Sequence, residues 1–172
     1  MGDITEVLLG FMTKGGDVLW LIAALVFVMW VLIFERVWYF KFGWKAEVAG
    51  VVAKWESRPE RKSWQAHQIR MMLISKSHME INRYLPEIKT MVALCPLLGL
   101  LGTVTGMIEV FNIMAVTGGG DAKSMAGGVQ MATIPTMAGM VAALSGVFAN
   151  TYVTQIAQRE SVFLQDNLTT DH

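Results

Sequence analysis

The sequence predicts an all-α membrane protein: three transmembrane helices with long cytoplasmic helical extensions, the N-terminus outside and the C-terminus in the cytoplasm. Three observations carry this. First, 53% of the 172 residues are hydrophobic and only 16% are charged, against about 25% charged in ordinary soluble domains. Second, the missing charge is concentrated. Residues 18–34, 90–108 and 124–158 contain no Asp, Glu, Lys or Arg, and a helix crosses a bilayer with roughly 20 apolar residues and no fewer than about 17. Third, eleven of the 14 Lys and Arg fall within residues 35–89, between the first two windows. Such basic segments stay on the cytoplasmic side, which sets the orientation.

Residues 1–17 form the outer N-terminal segment. They hold Asp3, Glu6 and Asp17 against Lys14, the wrong balance for the basic leader of a cleavable signal. Within them, residues 4–12 read either as a short interfacial helix or as a disordered tail. The first crossing covers residues 18–37 and is apolar on almost every face, as a lipid-facing helix is. Trp20 at one end and Trp38, Tyr39 and Trp44 at the other make an aromatic belt. Glu35 and Arg36 lie at the inner boundary, where charge is less costly than at the centre.

Residues 38–89 form a cytoplasmic helical region. Ser57 and Glu60 have the spacing of a capping box, with Pro59 in the first turn. From Trp64, the positions His67, Met71, Ile74, His78, Ile81 and Leu85 make a mostly apolar stripe at steps of three or four, which requires a partner helix. Pro86 then kinks or breaks the helix. His67 and His78 have neither a neighbouring Cys nor a second close His, so packing or surface roles outweigh metal binding.

The second crossing covers residues 90–116. Gly99, Gly102 and Gly106 fall near one face, and small residues let helices approach where lipid supplies no hydrophobic drive. Pro96 removes a backbone hydrogen bond and predicts a bend. The single cysteine, Cys95, reads as a buried thiol. Residues 117–128 are a glycine-rich outer connection, read as flexible. The third crossing covers residues 129–156. Ala138, Ala142 and Gly146 repeat every four residues, with Gly139 and Ala143 beside them, and Pro135 bends the helix or frees the carbonyl of Met131. Gln130, Thr133, Thr136, Ser145, Asn150, Thr151 and Thr154 interrupt it. This mixture places the second and third crossings inward and the first as an outer wall. Residues 157–172, with Arg159 near their start, are the cytoplasmic tail.

Glu109 is the only acid in the second crossing. It reads as an interfacial carboxylate or as an ion-path or partner-contact group. The hydroxyls of Thr103, Thr133 and Thr136 either line a wetted passage or bond to their own helix. Two inward helices are too few to enclose a pore, which implies a homo-oligomer or a complex with another membrane protein. No Walker motif, HExxH, Cys cluster or Ser–His–Asp arrangement is present, so we expect no enzyme activity, cofactor or metal. A net charge of zero gives no footprint for nucleic acid.

With these residues in view, the chain resembles the ExbB/TolQ/MotA family of proton-driven motor components, and its ExbB branch above the others. The resemblance runs through DVLWLIAALVFVMWVLIFERVWYF at 17–40, PLLGLLGTVTGMIEVF at 96–111 and MATIPTMAGMVAAL at 131–144. It implies a multi-pass protein of the bacterial cell inner membrane with a periplasmic N-terminus. It further implies a homopentamer around an ExbD-like dimer whose helices bring an aspartate. The assembly would couple proton flow to a TonB-like protein and the import of iron carriers or similar nutrients. The family's pore-lining threonines match Thr103 and Thr136. Where many members carry glutamate this chain has Met131, and Glu109 falls where a neutral polar residue is familiar, so Glu109 is a candidate to replace part of that charge. The basic cytoplasmic surface would contact phospholipid headgroups through Arg36, Lys41 and Lys45. Alternatives are a TolQ-like motor for envelope maintenance and a structural scaffold without ion flux.

Overall fold

The computed structural model is entirely helical in the residues it describes, which are 16–57, 63–118 and 122–168 together with Glu6, Gly10 and Met12. Helix α1 spans Gly16–Trp38. A π-helical turn, Tyr39–Gly43, follows, and leads into α2, Trp44–Glu56. Helix α3 spans Trp64–Ile81, α4 Leu85–Thr117 and α5 Ala122–Asn167. Three helical runs, Gly16–Glu56, Trp64–Val116 and Met125–Asn167, are long and apolar enough to cross a membrane. The expected interfacial helix at 4–12 lies largely outside the described residues.

The chain divides into two compact units. The first comprises residues 1–30 and 89–147. Its buried residues include Leu19, Ile22 and Met29 from α1, Val92, Cys95 and Val110 from α4, and Ala132 and Ala143 from α5. The second comprises residues 31–88 and 148–172. Its core holds Ile33, Phe40, Trp44, Trp55, Ile81, Val153, Ala157 and Leu164.

Several local expectations are corrected. Ser57 ends a helix instead of starting one. Its N–H donates to the Ala53 carbonyl at 3.0 Å and its hydroxyl to the Lys54 carbonyl at 3.1 Å. Pro59 and Glu60 lie outside the described residues, and α3 begins after Ser63, whose extended backbone (φ −65°, ψ 149°) suits the cap position. The buried face of α3 also differs from the predicted stripe. Trp64 is 76% exposed and Met71 58%, while Ala66, Ser77 and Ile81 are buried. The last members of the predicted stripe, Ile81 and Leu85, are buried as expected, whereas in its N-terminal part the contact face shifts to the small side chains of Ala66 and Ser77.

Pro86 marks a break. Helix α3 ends at Ile81 with Asn82 as its cap, Tyr84 adopts a left-handed φ of 63°, and α4 restarts with Pro86 in its first turn, where a missing N–H costs nothing. Pro96 and Pro135, by contrast, lie within continuous helices. The glycine-rich connection is shorter than predicted. Helix α4 persists to Thr117, Gly118 takes the left-handed φ of 74° usual just beyond a helix end, and α5 already begins at Ala122.

Candidate functional site

The α4–α5 seam in the first unit is built on residues without bulk. Along α4 the seam positions are Val92, Cys95, Gly99, Gly102 and Val110, all buried, with half-buried Gly106 between the last two; along α5 they are buried Ala132, Pro135, Gly139, Ala143 and Gly146. Both sets advance by three or four residues, one stripe on each helix. A Cβ on Gly102 would stand 2.3 Å from Pro135 Cβ, one on Gly106 2.8 Å from Ala132 Cα, and one on Gly139 2.5 Å from the Cys95 carbonyl oxygen. Gly99 faces the backbone of Pro135 and Thr136, and Gly146 faces Met29 and Val92. Ala138 and Ala142 are only half-buried. The seam on α5 therefore runs through Gly139 and Ala143, beside Ala138 and Ala142, and rejoins the predicted repeat at Gly146, with Pro135 as its central knob.

The hydroxyls are fixed by backbone carbonyls. Thr136 Oγ1 donates across the seam to the Gly99 carbonyl at 2.9 Å. Thr103 donates to the Leu100 carbonyl at 2.6 Å and Thr133 to the Gln130 carbonyl at 2.8 Å, both within their own helices. Thr105 and Ser145 do likewise. Each hydroxyl proton is thus committed, and each oxygen retains lone pairs as an acceptor. Glu109 is exposed, as are Gln130 and Met131. Glu109 has no hydrogen bond or ion pair among the described residues.

Sequence reasoning missed a polar cluster in the second unit. Arg36 is 2% exposed. It is not offered to a headgroup, which corrects the lipid-contact expectation for this residue. Its Nη1 donates to the Glu80 carbonyl at 3.0 Å. Its guanidinium lies over the rings of Tyr39 and Tyr84, 5.1 and 4.9 Å from their centroids. Nε lies 3.0 Å from Glu35 Oε2, an ion pair by distance but outside hydrogen-bond angles. The Tyr39 hydroxyl donates to Glu47 Oε2 at 2.6 Å; burial first, and then that carboxylate, hold the phenol well above its ordinary pKa. Burying a charge demands such pairing. The sequence signal was there: Arg36 and Tyr39 are three apart on one helix face.

Two more contacts organise this unit. Trp44, 1% exposed, donates its indole N–H to Glu160 Oε2 at 2.7 Å. Arg70 donates to the carbonyls of Leu168 and Gln165 at the end of α5, satisfying acceptors that a helix terminus leaves unpaired. Lys41 and Lys45 are exposed.

The sequence profile of the MotA/TolQ/ExbB proton channel family matches residues 46–166, well over half of the chain. The chain belongs to this family. A Synechocystis sp. protein named biopolymer transport protein ExbB-like 1 is 50% identical over 60 residues, which cover 33% of this chain and 24% of that one. The ExbB-like 3 protein of the same organism is 31% identical over 100 residues, covering 52% and 48%. The biopolymer transport protein ExbB of Helicobacter pylori is 32% identical over 76 residues, covering 44% and 52%. The chain thus spans between about a quarter and half the length of these MotA/TolQ/ExbB relatives. No solved structure matches it.

Proposed function

We propose that this chain is an ExbB-like subunit of a proton-driven motor in the bacterial inner membrane. With an ExbD-like dimer it energises a TonB-like protein for outer-membrane import of iron carriers or similar nutrients. The observation that carries the reading is the family match over residues 46–166, which takes in the whole α4–α5 seam. The basic segment at 35–89 supports a periplasmic N-terminus and cytoplasmic C-terminus.

In this reading the seam makes each α4–α5 pair a rigid stave, and five copies surround the partner helices. Thr103, Thr133 and Thr136 present oxygen acceptors whose protons point into backbone carbonyls. They orient water beside the partner's titratable group without exchanging protons themselves, since a threonine hydroxyl does not ionise near neutral pH. Glu109 hydrates the outer entrance. One charge crossing 100 mV releases about 2.3 kcal/mol, which drives the cycle.

A scaffold without ion flux is favoured by one observation: all three hydroxyls donate to backbone. The variants T103V and T136V in the intact complex separate the two readings. For the motor, energy-dependent uptake falls about tenfold for at least one variant while oligomer mass is unchanged, in line with the value of one hydrogen bond of about 1–1.5 kcal/mol. Unchanged uptake in both favours the scaffold.

A further inference from the structure

The second unit contains an open groove of about 360 Å³ lined by Trp44, Lys45, Val48, Arg159, Glu160 and Phe163. Its volume lies in the range of about 300–1,000 Å³ that ligand sites occupy. We propose that this groove binds an anionic phospholipid of the cytoplasmic leaflet, with Lys45 and Arg159 gripping the phosphodiester and Val48 and Phe163 receiving the glycerol and upper acyl carbons. The inference rests on the topology proposed above, not on proton flux.

Charge carries the argument. Lys45 and Arg159 come from different helices, α2 and α5, and converge on one groove. Neither has an ion pair among the described residues. The only carboxylate in the lining, Glu160, accepts the Trp44 indole N–H through Oε2 at 2.7 Å, which holds its side chain on the groove wall. The lining therefore carries two cations against one anion. Its floor is apolar: Val48 is buried, and Phe163 keeps 55% of its surface exposed. A small soluble anion has no use for that floor, whereas a phospholipid needs both parts.

Depth agrees. Arg159 lies three residues beyond the third crossing and Lys45 eight beyond the first, about 5 and 12 Å along the helix axis at 1.5 Å per residue. The headgroup layer adds about 5–7 Å to each side of the hydrocarbon. Arg159 reaches it directly, and the lysine stem extends toward it as such side chains do at interfaces. An anionic leaflet rewards each basic group placed there.

The test is native mass spectrometry of the full-length protein titrated with phosphatidylglycerol or with phosphatidylcholine of matched chains. The expected result is preferential retention of phosphatidylglycerol, reduced about fivefold by either K45Q or R159Q and kept by K45R. The charge-matched control K54Q/K76Q, on exposed lysines outside the groove, should change retention less than twofold. Equal retention of the two lipids overturns the proposal, as does wild-type retention in K45Q/R159Q. Displacement of the lipid by millimolar glycerol 3-phosphate would make the site one for soluble phosphates and also overturn it. A changed oligomer mass with unchanged lipid would assign the groove to contacts between copies. None of these outcomes depends on proton flux, so the motor reading stands or falls separately.

Discussion

Gly102 shows how one hydrogen atom in place of a methyl sets the distance between two helices. A methyl there would stand 2.3 Å from Pro135 Cβ and 3.3 Å from Val18 Cγ1, and a proline ring cannot swing away. G102A should therefore destabilise the chain by about 1–3 kcal/mol, the usual cost of overpacking. Gly50 is the comparison: a Cβ there meets nothing within 4 Å, so G50A should stabilise α2 by about 0.5–1 kcal/mol. Thermal unfolding in detergent should give a lower midpoint for the first and an equal or higher one for the second. The glycines at 99, 102 and 106 were legible because three small residues on one apolar face have few other uses. Pro135 was not: read alone, it signals a bend, and only the facing glycine reveals a knob. Arg36 was misread for a related reason. Its position at the end of an apolar helix fits a headgroup contact equally well, and the distant ring of Tyr84 that closes over it is invisible to local pattern.

At the scale of elements, the helices were legible from charge-free windows, while their ends were set by side chains far apart in sequence. Trp44 and Glu160 are separated by 116 positions, and Arg70 reaches Leu168 across 98. W44F keeps the ring and removes the donor, leaving a partly buried carboxylate without its partner. The expected cost is about 1.5–3 kcal/mol, typical of a hydrogen bond to a charged group. E160Q, which can still accept through its amide oxygen, should cost less. Limited proteolysis at Lys45 and Lys54 of α2 would report the difference as faster cleavage in W44F than in E160Q. The predicted stripe held at its C-terminal end, where Ile81 and Leu85 are buried, and failed before it, where Ala66 and Ser77 are buried and Trp64 and Met71 are exposed.

The whole molecule leaves much apolar surface uncovered on the membrane helices. Leu97, Leu100, Val104, Ile108 and Phe111 on α4, and Met137, Val141 and Leu144 on α5, are each at least half exposed. Lipid can cover these residues, and so can neighbouring copies. Native mass spectrometry of the complex purified with an ExbD-like partner should give five copies of this chain to two of the partner. A monomeric mass under conditions that retain bound lipid would remove the pentamer from the proposal. Stoichiometry was not legible in the sequence, because packing of small residues is satisfied within one chain as readily as between chains, and here the glycine seam closes internally.

The π-helical turn at Tyr39–Gly43 has a consequence for engineering. The Trp44 N–H reaches the Tyr39 carbonyl, five residues back where an α-helix reaches four, so the turn holds one residue more than an α-helical turn needs. Excising a single residue from it would restore an unbroken α-helix and leave the Trp44 indole close to its present bearing on Glu160. A second excision, now from regular α-helix, would swing the indole roughly 100° off that carboxylate. The turn stores one spare residue, and the first deletion there should be far milder than the second.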